Sequence, residues 1–237
     1  VYEQWRDVNF GEWAQQLAYL KANVLFVQFG QMEALEGKGR IPEFTAAFEK
    51  LLDEFEKQTR RIVLMSPTPF EQPVAQKAPN LYDRNNDVRA YSAAIQEIAK
   101  NRGHVFVDLF SPMSIARRQP ATRDGIHLID AGHEAVGALL ADALKTPAPD
   151  STPAQPLFTE ILEKNRLWHN YWRPMNYAFA FGDRTHVAFG KGEPSFREEL
   201  EAWRPFLETA EARIDAIAMG KTELPKFPPV RERAHSA

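Results

Sequence analysis

The apolar positions of the chain form two kinds of run, and their order predicts an α/β fold. Three short runs, at 24–29, 62–65 and 105–109, are rich in branched or aromatic residues, which is typical of buried strands. Between them, apolar residues recur every three or four positions, which indicates helices. Because the connections are long enough for crossovers, we expect an open parallel sheet covered by helices.

Three residues mark the expected helix boundaries. Pro42 is a residue type favoured in the first turn of a helix, so a helix is expected to begin there. Gly103 is expected to end the next helix. Asp130 is expected to cap a third helix, which precedes a change in composition.

The chain is expected to divide into four parts. Residues 1–145 form the α/β domain, and 146–156 read as a stiff, Pro-rich linker. Residues 157–220 form a helical extension, in which Pro205 is expected to kink or split a helix. Residues 221–237, with three prolines among charges, are expected to be a flexible tail.

Composition excludes several functions. The 237 residues carry a net charge of −3 and lack cysteine, so nucleic-acid binding and thiolate chemistry are not indicated. No apolar run approaches the roughly 18 residues of a membrane span. Neither a dinucleotide fingerprint nor a histidine pair with metal-ligand spacing is present, so we expect no cofactor and no metal. The oligomeric state stays open.

Polar residues follow the expected strands, at the sheet edge where α/β proteins bind ligands. Gly30, Gln31, Met32 and Glu33 follow the first strand, and Ser66 follows the second. Each has an ordinary structural explanation, such as a turn, but together they indicate a site.

Asp124 and His127 form the most informative pair. A carboxylate three residues before an imidazole on a loop can fix its tautomer and stabilise its protonated form. This is the acid–base half of a hydrolase, with His127 as the general base and Asp124 as the orienting partner.

These residues resemble the SGNH or GDSL hydrolase family. Asp124, His127, Gly132 and His133 are similar to its last signature block, Asp-x-x-His followed by Gly-His, and residues 29–34 are similar to its third block, Gly-x-Asn-(Asp/Glu). The resemblance covers about residues 8–145 and implies a flavodoxin-like, three-layer α/β/α fold. Residues 172–176 resemble the carboxyl-terminal extension of a bacterial subgroup, and the resemblance implies a periplasmic or secreted location.

The family's first block, Gly-Asp-Ser with the nucleophilic serine, is absent upstream of Val24. Because a strand, helix and strand need about 30 residues, we expect an amino-terminal truncation that removes the first strand. Ser66 and Ser111 each precede a proline and are better explained as turn residues than as nucleophiles.

Met32 occupies the position where the family places an oxyanion-donating asparagine, and a thioether cannot donate a hydrogen bond. Either Gln31 or a main-chain amide replaces it, or Met32 packs in the core and the site is degenerate. Glu33 could support the loop or line the pocket, but an exposed turn carboxylate is the simpler explanation.

The sequence therefore predicts a serine-type ester hydrolase for small acyl or acetyl esters, including those on carbohydrate. The serine would come from an upstream segment, so the present chain alone is expected to be inactive. The alternative is a catalytically degenerate binding or assembly protein of the same fold.

Overall fold

The structure is a computed structural model that describes residues 11–73, 78–115, 119–146, 155–173, 177–188 and 190–229. The chain forms two compact units, one of residues 13–148 and one of residues 149–237 with the first twelve. The division lies within the expected linker, most of which, 147–154, is outside the described residues.

The first unit contains a parallel sheet in the order β1-β2-β3, formed by Leu25–Gln28, Ile62–Met65 and Val105–Val107. Leu25 pairs with Ile62, and Val63 pairs with Val105. β2 has the bounds of the apolar run that predicted it, whereas residues 24, 29, 108 and 109 of the other two runs lie outside β1 and β3.

The helices of this unit connect and cover the strands. They are α1 Trp13–Tyr19, α2 Ile41–Glu56, α3 Asn85–Arg102, α4 Phe110–Met113 and α5 Asp130–Ala143, with short 3-10 turns at Glu33–Glu36, Lys38–Arg40 and Tyr82–Arg84.

The two sheet faces bury different cores, as alternating side chains require. On one face, Val27 and Leu64 pack with Phe48 of α2 and Ile95 of α3. On the other, Val63 and Val107 form a cluster against α5. The predicted three-layer α/β/α arrangement is therefore confirmed.

Two of the predicted helix boundaries are confirmed and one is wrong. Pro42 lies in the first turn of α2, and Gly103 ends α3 in the left-handed conformation at φ 71°. Asp130 does not cap α5: it is the first helical residue, Ile129 is the cap position, and no side chain caps this end.

One edge of the sheet is formed by β1. Among the described residues, the strand pairs with β2 alone. Phe26 in its middle is 50% exposed, whereas the next residue, Val27, is buried. The sheet face that carries Phe26 is thus incompletely covered at this edge.

The second unit is helical. Its elements are α6 Gln155–Trp172, α7 Tyr177–Ala180, α8 Phe196–Glu201 and α9 Arg204–Ala218. As expected, Pro205 divides the long apolar pattern, since α8 ends before it and α9 begins with it in the first turn. Tyr171, Leu200 and Leu207 lie in the core of this unit.

The segment expected to be a flexible tail makes contacts in its first part. The guanidinium of Arg213 donates to the carbonyl oxygen of Pro225 at 2.9 Å and lies over the ring of Phe227. Residues 230–237 are outside the described part of the chain.

No helix in the described ranges combines the length and the apolar character that a membrane crossing requires.

Candidate active site

Asp124 and His127 are in direct contact on the loop before α5. The Nδ1 atom of His127 lies 2.8 Å from Oδ2 of Asp124, and the main-chain amide of His127 donates to Oδ1 at 2.8 Å. The amide of Ile126 donates to the same Oδ1 at 3.1 Å. One carboxylate therefore organises both the turn of the loop and the ring of His127.

These hydrogen bonds favour the ionised carboxylate. The main-chain amide of His127 contributes most, followed by the His127 ring, and together they hold the pKa of Asp124 well below its ordinary value of 3.8. The imidazole itself is 62% exposed, so its other ring nitrogen is open to a reactant.

Two glycines allow the loop to fit against its neighbours. Gly125 has φ 90°, and a Cβ at this position would lie 2.6 Å from the main-chain oxygen of Glu71. A Cβ on Gly132 would lie 2.2 Å from the oxygen of Ala121. Gly132 is thus required by close packing, whereas the adjacent His133 is exposed.

Glu71, which the sequence analysis did not select, anchors this loop. Its carboxylate accepts hydrogen bonds from the amides of Ala121 and Thr122 and from the Thr122 hydroxyl. Its position after Pro-rich residues carries no local pattern that would indicate this contact, because its partners lie about 50 residues away in the chain.

The segment after β1 is tied to Thr68 in the loop after β2. Gly30 has φ 102° and its amide donates to Oε2 of Glu33 at 2.9 Å. The side-chain amide of Gln31 donates to the carbonyl oxygen and to the hydroxyl of Thr68, at 3.0 and 3.1 Å. Glu33 therefore supports its own loop, contrary to the expectation of a simple exposed carboxylate.

Met32 is 56% exposed, so it does not pack in the core as one alternative supposed. The side-chain nitrogen of Gln31 donates to two oxygens of Thr68. This conformation leaves the Gln31 amide committed to the neighbouring loop rather than free to serve as an oxyanion donor.

Ser66 has a structural role in the loop after β2. It is fully buried, and its hydroxyl oxygen accepts from the amides of Leu109 and Phe110, each at 2.8 Å. The hydroxyl points to Asp108 at 3.3 Å. Ser111 is exposed, and its amide donates to Asp108 at 3.0 Å. Ser66 agrees with the expectation of a loop residue, whereas Ser111 lies in α4 rather than in a turn.

A cavity of about 390 Å³ lies beside the segment after β1. Its wall is aromatic and aliphatic, and its rim is charged. The lining includes Phe29, Phe44, Phe48, Leu51, Tyr91, Glu33, Glu36, Arg40 and Glu43. Tyr91 is buried and its hydroxyl donates to the oxygen of Gly37 at 3.1 Å.

In the part of the chain that the structure describes, the histidines outside the loop do not form a second site. The side chain of His104 is buried, and its Nε2 lies 2.9 Å from Oε1 of Glu56. Within the described ranges, no group of three or more metal-ligating side chains comes together.

A helix-covered parallel sheet with an Asp–His pair on the loop before the last helix of its unit is the arrangement expected of an SGNH or GDSL hydrolase. A profile of the GDSL-like lipase/acylhydrolase family matches residues 4–135, more than half of the chain. The chain belongs to this family of ester hydrolases. The predicted resemblance is confirmed.

Several solved structures resemble the chain. A catalytic mutant of an acetylxylan esterase from Geobacillus stearothermophilus is 17% identical, with a TM-score of 0.46, over 62% of this chain and 70% of that one. A GDSL-like lipase from Bacteroides thetaiotaomicron is 18% identical, with a TM-score of 0.45, over 55% of this chain and 66% of that one. No curated protein matches the sequence significantly.

Proposed function

We propose that this chain carries the acid–base half of a serine-type ester hydrolase. The hydrogen bond of 2.8 Å between Nδ1 of His127 and Oδ2 of Asp124 carries the proposal. A neutral imidazole that donates through Nδ1 has an unprotonated Nε2, which can accept a proton. Membership of an ester hydrolase family supports the same role.

The reaction is acyl transfer in two steps. A serine hydroxyl attacks the ester carbonyl while Nε2 of His127 takes its proton, and the imidazolium then protonates the departing alkoxide, which leaves as the alcohol. Water next attacks the acyl-enzyme with His127 again as base, which releases the carboxylic acid and regenerates the serine. Asp124 stabilises the imidazolium formed in each step.

The serine is proposed to come from a segment outside the 237 residues. Ser66 cannot serve without rearrangement, since its hydroxyl is fully buried and occupied by the amides of Leu109 and Phe110. The proposed substrates are small acyl esters, with acetyl groups on carbohydrate as one class to be tested.

Hydrolysis of p-nitrophenyl acetate and acetylated xylooligosaccharides tests the proposal, in the complete gene product and in residues 1–237 alone. We expect activity in the first and none in the second. His127→Ala should lower kcat by about 100-fold or more, while Asp124→Ala lowers it less.

His133→Ala is the matched control, because this exposed histidine lies six positions away and takes no part in the proposed chemistry. A His127→Ala protein that keeps the wild-type rate would exclude the mechanism.

The second candidate is a degenerate binding protein of the same fold. The exposed Met32 cannot donate to an oxyanion, and the side-chain amide of Gln31 donates to Thr68 instead. Both observations favour this candidate, because loss of one oxyanion donor costs about 100 to 1,000-fold in turnover. A complete gene product that hydrolyses no ester and resists fluorophosphonate labelling would favour this candidate. Met32→Asn should raise turnover if the site is a slowed enzyme.

A further inference from the structure

Glu71 gathers three donors from the loop that carries Asp124. Its Oε2 accepts from the amide of Ala121 at 3.0 Å, from the amide of Thr122 at 2.8 Å and from the Thr122 hydroxyl at 2.6 Å. Hydrogen bonds to a carboxylate are roughly twice as strong as neutral ones. The charge of Glu71 therefore fixes the amino-terminal side of the loop.

The main chain of Glu71 fixes the other side. Its amide donates to the oxygen of Gly125 at 3.0 Å. The hydroxyl oxygen of Thr122 accepts from the amide of Gly125 at 3.1 Å. Asp124, between Thr122 and Gly125, is thus held from both directions by one residue that lies outside its own loop.

The orientation of Asp124 depends on this arrangement. Its Oδ1 is placed by the amides of Ile126 and His127, and its Oδ2 meets the His127 ring. These contacts exist only while the loop keeps its turn at Gly125. A displacement of about 1 Å in a catalytic group can cost roughly 100-fold in rate.

We propose that Glu71 is a positioning residue for the Asp124–His127 pair. The expected effect on ester hydrolysis rests on the proposed function. The carboxylate holds Ala121 and Thr122, the main chain holds Gly125, and the pair keeps its geometry as a result. Glu71 does not touch the reacting atoms.

The chemistry of the contact specifies a carboxylate. Three donors converge on Glu71, and a carboxylate has two oxygens that only accept. The three donors converge on Oε2, and the Ala121 amide also lies 3.1 Å from Oε1, so a glutamine that keeps its oxygen at the Oε2 position would lose the charge and direct an N–H towards the Ala121 amide. Glu71→Gln should therefore weaken the contact, and Glu71→Ala should remove it.

The experiment uses Glu71→Gln, Glu71→Ala and Thr122→Val. The first readout is amide hydrogen exchange at Ile126 and His127, which reports the loop without requiring activity. Loss of the charged acceptor should speed exchange at these two amides by about tenfold or more. Exchange should be fastest in Glu71→Ala, slower in Glu71→Gln and slowest in the wild type. The second readout is the ¹⁵N spectrum of the His127 ring, which should change from the single Nδ1–H tautomer to a mixture.

The control is Glu54→Gln, which removes an exposed glutamate of α2 that pairs with Lys57, the residue after the helix. It should alter neither readout. Because Glu71→Ala removes most of the side chain and would lower overall stability, Glu71→Gln and Thr122→Val provide variants that keep the size of the side chain.

In the complete gene product, the Glu71 variants should lower kcat with little change in KM, as expected for a misplaced base. If exchange and tautomer change but no ester hydrolysis exists even in wild type, the proposed function fails and the positioning role stands. Unchanged exchange and an unchanged tautomer in all three variants would overturn the positioning role itself.

Discussion

Asp124 and His127 are joined twice, once through the ring nitrogen Nδ1 and once through the main-chain amide, each at 2.8 Å. The double contact makes the carboxylate part of the loop as well as part of the pair. Because the contact requires an ionised Asp124, the order of the loop should depend on pH through the pKa of this carboxylate.

The first prediction concerns acid. The pKa of Asp124 is held below its ordinary value of 3.8, so its stabilising contribution is fully present above that pH and is lost as pH falls through the lower, folded value. The loop should therefore keep slow amide exchange at Ile126 from neutral pH down to about pH 4. Asp124→Asn should show faster exchange throughout this range. Opening of the wild-type loop well above pH 4 would contradict the assignment.

Gly125→Ala should disturb the same loop. The residue has φ 90°, and the new Cβ would meet the oxygen of Glu71 at 2.6 Å, so we expect a loss of about 1–3 kcal/mol in the free energy of unfolding. Gly137→Ala is the matched control, because this helical glycine has open space around it and should gain about 0.5–1 kcal/mol. Urea unfolding measures both, and equal effects would contradict the prediction.

Ser66→Ala should destabilise the protein, but it should not remove a catalytic nucleophile. Removing the hydroxyl leaves the buried amides of Leu109 and Phe110 without their acceptor, at a cost of about 2–4 kcal/mol. Ser111→Ala should cost little, since its side chain is exposed. Fluorophosphonate should label neither serine in mass spectrometry, and labelling of Ser66 would refute its structural role.

Arg102 joins the end of α3 to α2. Its guanidinium donates to Glu49, Asp53 and Glu56, while its own side chain is only 17% exposed. Burial works against the charge of Arg102, but its hydrogen bonds to Asp53, Glu49 and Glu56 outweigh that effect and raise its pKa.

Arg102→Met should therefore destabilise the protein by about 1–3 kcal/mol, because three carboxylates lose their shared partner. For Glu56, burial opposes ionisation, yet hydrogen bonds from Arg102 and His104 lower its pKa. Arg60→Met is the control, since that side chain is 87% exposed and lies 3.6 Å from Glu56. Thermal unfolding that gives the same Tm for both variants would be the contrary result.

The parts of the fold that depend on local patterns could be predicted. The apolar runs predicted three strands, and Gly103 predicted the end of α3, because burial and a left-handed turn are each encoded within a few residues. The end of β3 could not be predicted in this way. The amide of Leu109 bonds to the hydroxyl of Ser66, 43 residues away, and not to a neighbouring strand.

The same distinction holds at the site. Asp124 and His127 are three residues apart, so their contact follows from the sequence. The exposure of Met32 depends on how residues 30–36 turn after β1, and the anchor at Glu71 depends on tertiary packing. Neither has a signal within its own neighbourhood of the chain.

The half-exposed Phe26 on edge strand β1 has a practical consequence for handling the isolated chain. Among the described residues β1 is paired on one side alone, and an exposed aromatic side chain on such an edge strand favours unwanted pairing between molecules. Concentrated preparations of residues 1–237 should thus self-associate unless this edge is blocked. Replacing Phe26 by lysine should keep them monodisperse.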